Sequence, residues 1–169
     1  LINHSLRLKK SINGIKTIFN NNAIQINYEQ FFENSSECNY GIILLNIEVH
    51  IQNLISEYIN KNEENKLIEI FHFIQFWGGI SARNIYVKNG GFDKNFCIES
   101  YKNIIEIALT TNKDIFHLDL KKIKSSSGSI KQLGVSFTTK HLSFWSRHNK
   151  YGFNLPILDK IISMNLLNK

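Results

Sequence analysis

Proline occurs once in this 169-residue chain, at Pro156, and cysteine only twice, at Cys38 and Cys97. Two isolated cysteines exclude a cysteine-rich zinc site or an iron–sulfur cluster, and they fit a reducing compartment. No stretch approaches the roughly 20 consecutive apolar residues that a membrane helix needs. No signal-peptide pattern opens the chain, so a cytoplasmic location without a membrane partner is expected. Leu1 stands where an initiator methionine is expected, which suggests a truncated chain or a non-standard start codon. Internal repeats, long linkers and His/Asp constellations at metal-ligand spacing are also missing, so neither a metal nor a cofactor is expected.

The composition that remains is that of a globular protein. With 43% hydrophobic residues, the chain is long enough to bury a core without staples, and one domain spanning 1–169 is expected, as a monomer. Ile, Asn and Lys are abundant while Ala is scarce, as an AT-rich genome would give, and such codon bias supplies lysine freely. A net charge of +6 and a pI near 9.3 nonetheless favour polyanionic partners, nucleic acid above all. Arginine is more telling, because only Arg7, Arg83 and Arg147 occur.

Periodicity points to helices. Residues 1–28 are polar and Asn-rich, suiting one short helix and an irregular lead-in. Between Tyr40 and Asn60, the residues Ile43, Ile47, Ile51, Leu54, Ile55 and Tyr58 form a helical stripe. "NEENKLIEIFHFIQFW" opens with capping and acidic residues and continues through Leu67, Ile70, Phe71, Ile74 and Trp77. Gly78-Gly79 should end or kink that helix. "NGGF" at Asn89–Phe92 reads as a turn, Phe96–Leu109 as a helix, and "SSSGS" at Ser125–Ser129 as a flexible connection. Two more helices are expected at about Thr138–His148 and Pro156–Leu167, with room for a short strand around Ile85–Lys88. The fold class is all-α.

Chemistry concentrates in "LGVSFTTKHLSFW" and the segment after it. A helix preceded by a Gly-containing turn, with Ser136 or Thr138 as N-cap, presents free backbone N–H groups that attract phosphate. Lys140 would sit on the first turn, where the helix field opposes added positive charge, an environment suited to a lysine nucleophile. The plainer alternative is one solvated lysine among seventeen. Pro156 suits the first turn of a helix, where its missing N–H would be unpaired anyway. Asp159 would follow in the opening turns, anchored by Ile157 and Leu158; alone it reads as an ordinary helix-start carboxylate.

Taken together, "LGVSFTTK" and "LPILD", with nineteen positions from Lys140 to Asp159, resemble the helix-hairpin-helix DNA glycosylases, and within them the 8-oxoguanine DNA glycosylase branch. The pair is also similar to small bacterial proteins that end in a Lys helix and a Pro-Ile-x-Asp helix. The match covers about Leu133–Ile162. It departs from the family where Ser136-Phe137-Thr138-Thr139 follows Gly134-Val135, so the hairpin's second glycine is missing and the turn is longer. Without a cysteine cluster the iron–sulfur branch is excluded.

The resemblance implies a helix-hairpin-helix DNA glycosylase-like helical domain acting on double-stranded DNA with a damaged or modified base. Lys140 and Asp159 would be catalytic, facing a cleft between an N-terminal helical layer and the hairpin-bearing segment. Gly134, Val135, Ser136 and Thr138 would hold the DNA backbone. Arg147, His148 and Lys150 are candidate phosphate contacts, ending a helix already beside that backbone. Trp77, Arg83, His141 and Trp145 are candidates for a base pocket, although Trp77 and Trp145 also suit core positions. His50 and His72 lie on apolar helices and are expected in the core. The implied chemistry is base flipping, cleavage through an oxocarbenium-like state stabilised by Asp159, and either Schiff-base formation by Lys140 or attack by water. The target is an oxidised purine in repair or a modified base of phage DNA in defence. A non-catalytic DNA-binding module and a protein-interaction domain are the rival readings.

Overall fold

The computed structural model describes residues 40–78, 98–112, 133 and 135–157. All regular structure among them is helical, in four helices with no strand: α1 (Tyr40–Lys61), α2 (Glu64–Trp77), α3 (Ile98–Thr110) and α4 (Val135–Ser146). The chain divides into two compact units, Leu1–Lys94 and Asn95–Lys169, with α1 and α2 in the first and α3 and α4 in the second. No helix among the described residues is long and apolar enough to cross a membrane. The expected turn at Asn89–Phe92, the connection at Ser125–Ser129 and the strand at Ile85–Lys88 lie outside the described residues.

In the first unit, α1 and α2 pack together as a helical hairpin. Four residues of the expected stripe of α1, Ile47, Ile51, Leu54 and Ile55, are buried, and Tyr58 is half-buried. Asn62 stops α1 by taking φ 53, and its N–H bonds the Tyr58 carbonyl at 2.7 Å. Asparagine is among the few side chains that tolerate this left-handed backbone. Asn62 therefore ends α1 and does not cap α2, whose N-cap position is Glu63, without a side-chain capping bond. Lys66 then ties the two helices, reaching Glu57 at 3.0 Å and Glu69 at 3.6 Å.

The burial of α2 is broader than a stripe. Every residue from Ile70 to Phe76 is buried, including Phe73, Phe76, His72 and Gln75, so more than one face of α2 is covered. Burial pushes the His72 pKa down to about 3. His50 is half-buried with its ring 4.6 Å from that of Phe73, edge to face, and burial likewise lowers its pKa. The helix ends at Trp77, where the Gly78 N–H bonds Ile74 O at 2.9 Å, as the glycine pair leads one to expect.

In the second unit, α3 packs on α4. Tyr101, Ile104, Ile105 and Ala108 are buried on α3, an i, i+3, i+4, i+7 stripe that faces one partner. Leu142, Phe144 and Trp145 are the apolar contribution of α4, and Leu133 adds to the core just ahead of it. Residues 152–157 are irregular. Pro156 and Ile157, where a helix is expected to open, are still irregular, and buried Leu155 gives its N–H to Ser146 Oγ at 2.8 Å, tying this segment to the end of α4. Leu158, Asp159 and the rest of that expected helix lie outside the described residues.

Candidate functional site

The residues from Leu133 to Ile157 contain three cations, Lys140, Arg147 and Lys150, and no acid. Helix α4 begins at Val135, so Ser136 and Thr138 are inside the helix and neither is its N-cap. Thr138 is buried, and Ser136 Oγ accepts a hydrogen bond from Lys140 Nζ at 3.3 Å. Thr139 Oγ1 donates to the Ser136 carbonyl at 3.0 Å. Gly134, expected in the hairpin turn, lies outside the described residues.

Lys140 is the sixth residue of α4 and thus on its second turn, not its first. The helix field falls off within one turn, so the N-terminal dipole is not what shapes its surroundings. Its neighbours do that. The side chain is half-buried, its Nζ is 4.5 Å from the centre of the Phe137 ring, and Ser136 fixes the ammonium from one turn back. Lys140 is the one charged residue of α4, and it is held against the helix surface instead of extending from it.

The other two cations follow the helix. Arg147 is exposed with its guanidinium 5.1 Å from the Phe144 ring centre, and exposed Lys150 lies 4.8 Å from that of Tyr151. Such cation–aromatic contacts limit the wandering of long side chains. His148 between them is half-buried, and burial, then the Arg147 guanidinium, lowers its pKa. It therefore enters as a neutral hydrogen-bonding group more readily than as a third charge.

His141 and Trp145 are fully buried, each against Tyr101 of α3. Trp145 Nε1–H donates to the Tyr101 oxygen at 3.0 Å, and that oxygen is 2.9 Å from His141 Nδ1. The direction of the second bond follows from which ring nitrogen of His141 carries the proton. Burial keeps the ring neutral: it pushes the His141 pKa down to about 3, with Lys140 adding in the same direction, and it raises that of Tyr101. Neither ring presents a face to solvent, so both are core residues of this unit. Trp77 belongs to the first unit, half-buried at the end of α2, and Arg83 lies outside the described residues.

Asn149 organises the segment after α4, a role that nothing in its sequence neighbourhood signals. It is buried, and its Nδ2 donates to the carbonyls of Ala108 at 2.7 Å and Thr111 at 2.8 Å, capping the C-terminus of α3. Its Oδ1 accepts from the N–H groups of Tyr151 at 2.8 Å and Phe153 at 3.4 Å. One amide thus uses both donors and both lone pairs. Lys150 N–H adds a bond to Leu109 O at 3.1 Å. The turn carrying Arg147, Lys150 and Tyr151 is thereby fastened to α3.

Among the described residues no group of His, Cys, Asp and Glu could hold a metal ion. Comparison with protein-family models, with curated proteins and with solved structures gives no match for this chain.

Proposed function

We propose that this chain is a DNA glycosylase of the helix-hairpin-helix kind, which flips a damaged or modified base out of duplex DNA and cleaves its glycosidic bond to leave an abasic site. What carries the reading is Lys140: half-buried, bonded to Ser136 and seated on Phe137, in a segment whose every charged side chain is a cation. A lysine nucleophile needs a fixed position and partial removal from water. A non-catalytic DNA-binding module accounts for Arg147 and Lys150 on the exposed turn but gives no reason for restraining Lys140.

In this reading Arg147 and Lys150 bind phosphate and set the register of the helix on the duplex. The target nucleotide leaves the stack, since its C1′ is out of reach inside it. As the base departs with the electron pair of the C1′–N bond, positive charge builds on the sugar, and the Asp159 carboxylate stabilises it. The departing base anion takes a proton from the Lys140 ammonium, and the freed amine attacks C1′ and forms a Schiff base on ring opening, a route to strand scission. Repair and defence against phage DNA with modified bases use the same chemistry.

The test is incubation of the protein with duplexes carrying single oxidised or modified bases, and with phage genomes containing modified bases, followed by an aldehyde-reactive probe. Aldehydic abasic sites on one substrate class support the proposal. DNA binding without any abasic site across the panel would leave the non-catalytic module.

A further inference from the structure

Tyr151 sits in the turn after α4 with 57% of its surface exposed, one of the few large apolar groups exposed among the described residues. Loop residues of this kind are usually mobile. Here the backbone beneath the ring is held. Tyr151 N–H bonds Asn149 Oδ1 at 2.8 Å, and Gly152 N–H closes the turn onto the Asn149 carbonyl at 3.0 Å. Gly152 takes φ +68, a conformation that favours glycine, although a Cβ there would meet nothing within 4 Å. The Lys150 ammonium lies over the Tyr151 ring, 4.8 Å from its centre, and Arg147 is the other exposed charge of the segment.

We propose that Tyr151 is a base-stacking residue: with Lys150 on one face, its exposed ring takes an unpaired nucleobase of a DNA strand and directs the protein to sites where a base has left the stack. The proposal rests on the nucleic-acid reading given above and extends it to how the site is found. Stacking on an aromatic ring tolerates any base, because every base has a π-face. A ring on a fixed backbone gives up little freedom on binding, and fixing the backbone is what the Asn149 amide does. Lys150 beside the ring meets a phosphate of the strand that supplies the base. The phenol oxygen has no part in this, so Phe or Trp should serve in its place.

The experiment is a titration of the full chain with two labelled duplexes of one sequence, one fully paired and one with a single-nucleotide bulge, read by fluorescence anisotropy. Wild type should prefer the bulged duplex by roughly five- to a hundredfold, the range for one stacked base. Tyr151→Ala should lose that preference, the ratio of its two affinities falling to about one, and Tyr151→Trp should keep it. Because the ring is exposed, the alanine variant leaves the core intact. An equal preference in wild type and Tyr151→Ala, or none in wild type, overturns the stacking role and leaves DNA binding standing. Failure to bind either duplex overturns both.

Discussion

Lowering the pH from about 7.5 to about 5 tests the packing of α4 through its own histidine. The His141 pKa is pushed from the ordinary 6.5 down to about 3, first by burial and then by Lys140. Folded His141 stays neutral where the unfolded chain takes up a proton. Its contribution to stability is therefore full above pH 6.5 and is lost progressively as the pH falls towards about 3, with a limiting slope of about 1.4 kcal/mol per pH unit. At pH 5 the loss from this residue is about 2 kcal/mol. His72 gives the first unit a similar dependence, since its pKa is also about 3. Hydrogen exchange reads the two units separately once intrinsic rates are divided out. The opening free energies of α3 and α4 should fall on acidification by about 2 kcal/mol from His141 alone. In His141→Asn, whose amide sits where Nδ1 does and can still bond the Tyr101 oxygen without titrating, that loss should vanish and, among the described residues of the unit, the smaller loss from half-buried His148 should remain, while α1 and α2 behave as in wild type. An equal acid loss in α4 with and without His141 would refute the claim that burial keeps this ring neutral.

Reversing Arg147 or Lys150 to Glu should weaken binding to DNA of every sequence, and should lower the slope of log affinity against log salt by about one for each phosphate no longer neutralised; filter binding across a salt series checks this. Asn149→Ala removes a hydrogen bond from the carbonyls of Ala108 and Thr111 and from the N–H of Tyr151, so a loss of roughly 2–4 kcal/mol in urea unfolding is expected. Asp159→Asn should leave DNA binding intact while base release falls by roughly two to three orders of magnitude. Lys140→Gln should abolish trapping of protein on DNA by borohydride. A wild type that releases base and never traps would make water the nucleophile and Lys140 its assistant.

The helices are legible in the sequence wherever one partner covers one face. Ile47, Ile51, Leu54 and Ile55 recur at helical spacing, and all are buried. The near-continuous burial of α2 is not legible, because a run such as Phe71-His72-Phe73-Ile74 does not tell how many sides are covered. Helix α4 starts earlier than the sequence suggests, because Ser136 and Thr138 are good capping residue types that here lie within it. Inside a helix such hydroxyls turn to other partners: Ser136 takes Lys140, and Thr139 bonds back to the Ser136 carbonyl. Asn149 reads locally as a turn former. Its work is done on Ala108 and Thr111, some forty positions earlier, and no local pattern carries that information. The Tyr101 pairing with His141 and Trp145 is hidden in the sequence for the same reason.

The distribution of charge bears on whether the basic pI means anything beyond codon usage. Codon bias of one kind acts on the whole chain, so by itself it should enrich lysine everywhere. Between Tyr40 and Gly78, however, the chain has five glutamates against two lysines, and Lys66 there is engaged by Glu57 and Glu69. Between Leu133 and Ile157 the balance is three cations and no acid. One of those three is Arg147, a residue used only three times in the chain. Each of the three cations lies over an aromatic ring, and two of them leave a turn that a buried amide fastens to α3. Three cations in 25 residues match the chain's 20 in 169, so composition explains their number; it does not explain the missing acids, nor the fastened backbone that carries two of the three. A protein-interaction domain whose basicity is incidental would need neither. A surface that must hold phosphate while one base is worked on needs both, because loosely placed charge attracts a duplex without fixing where along it the protein sits.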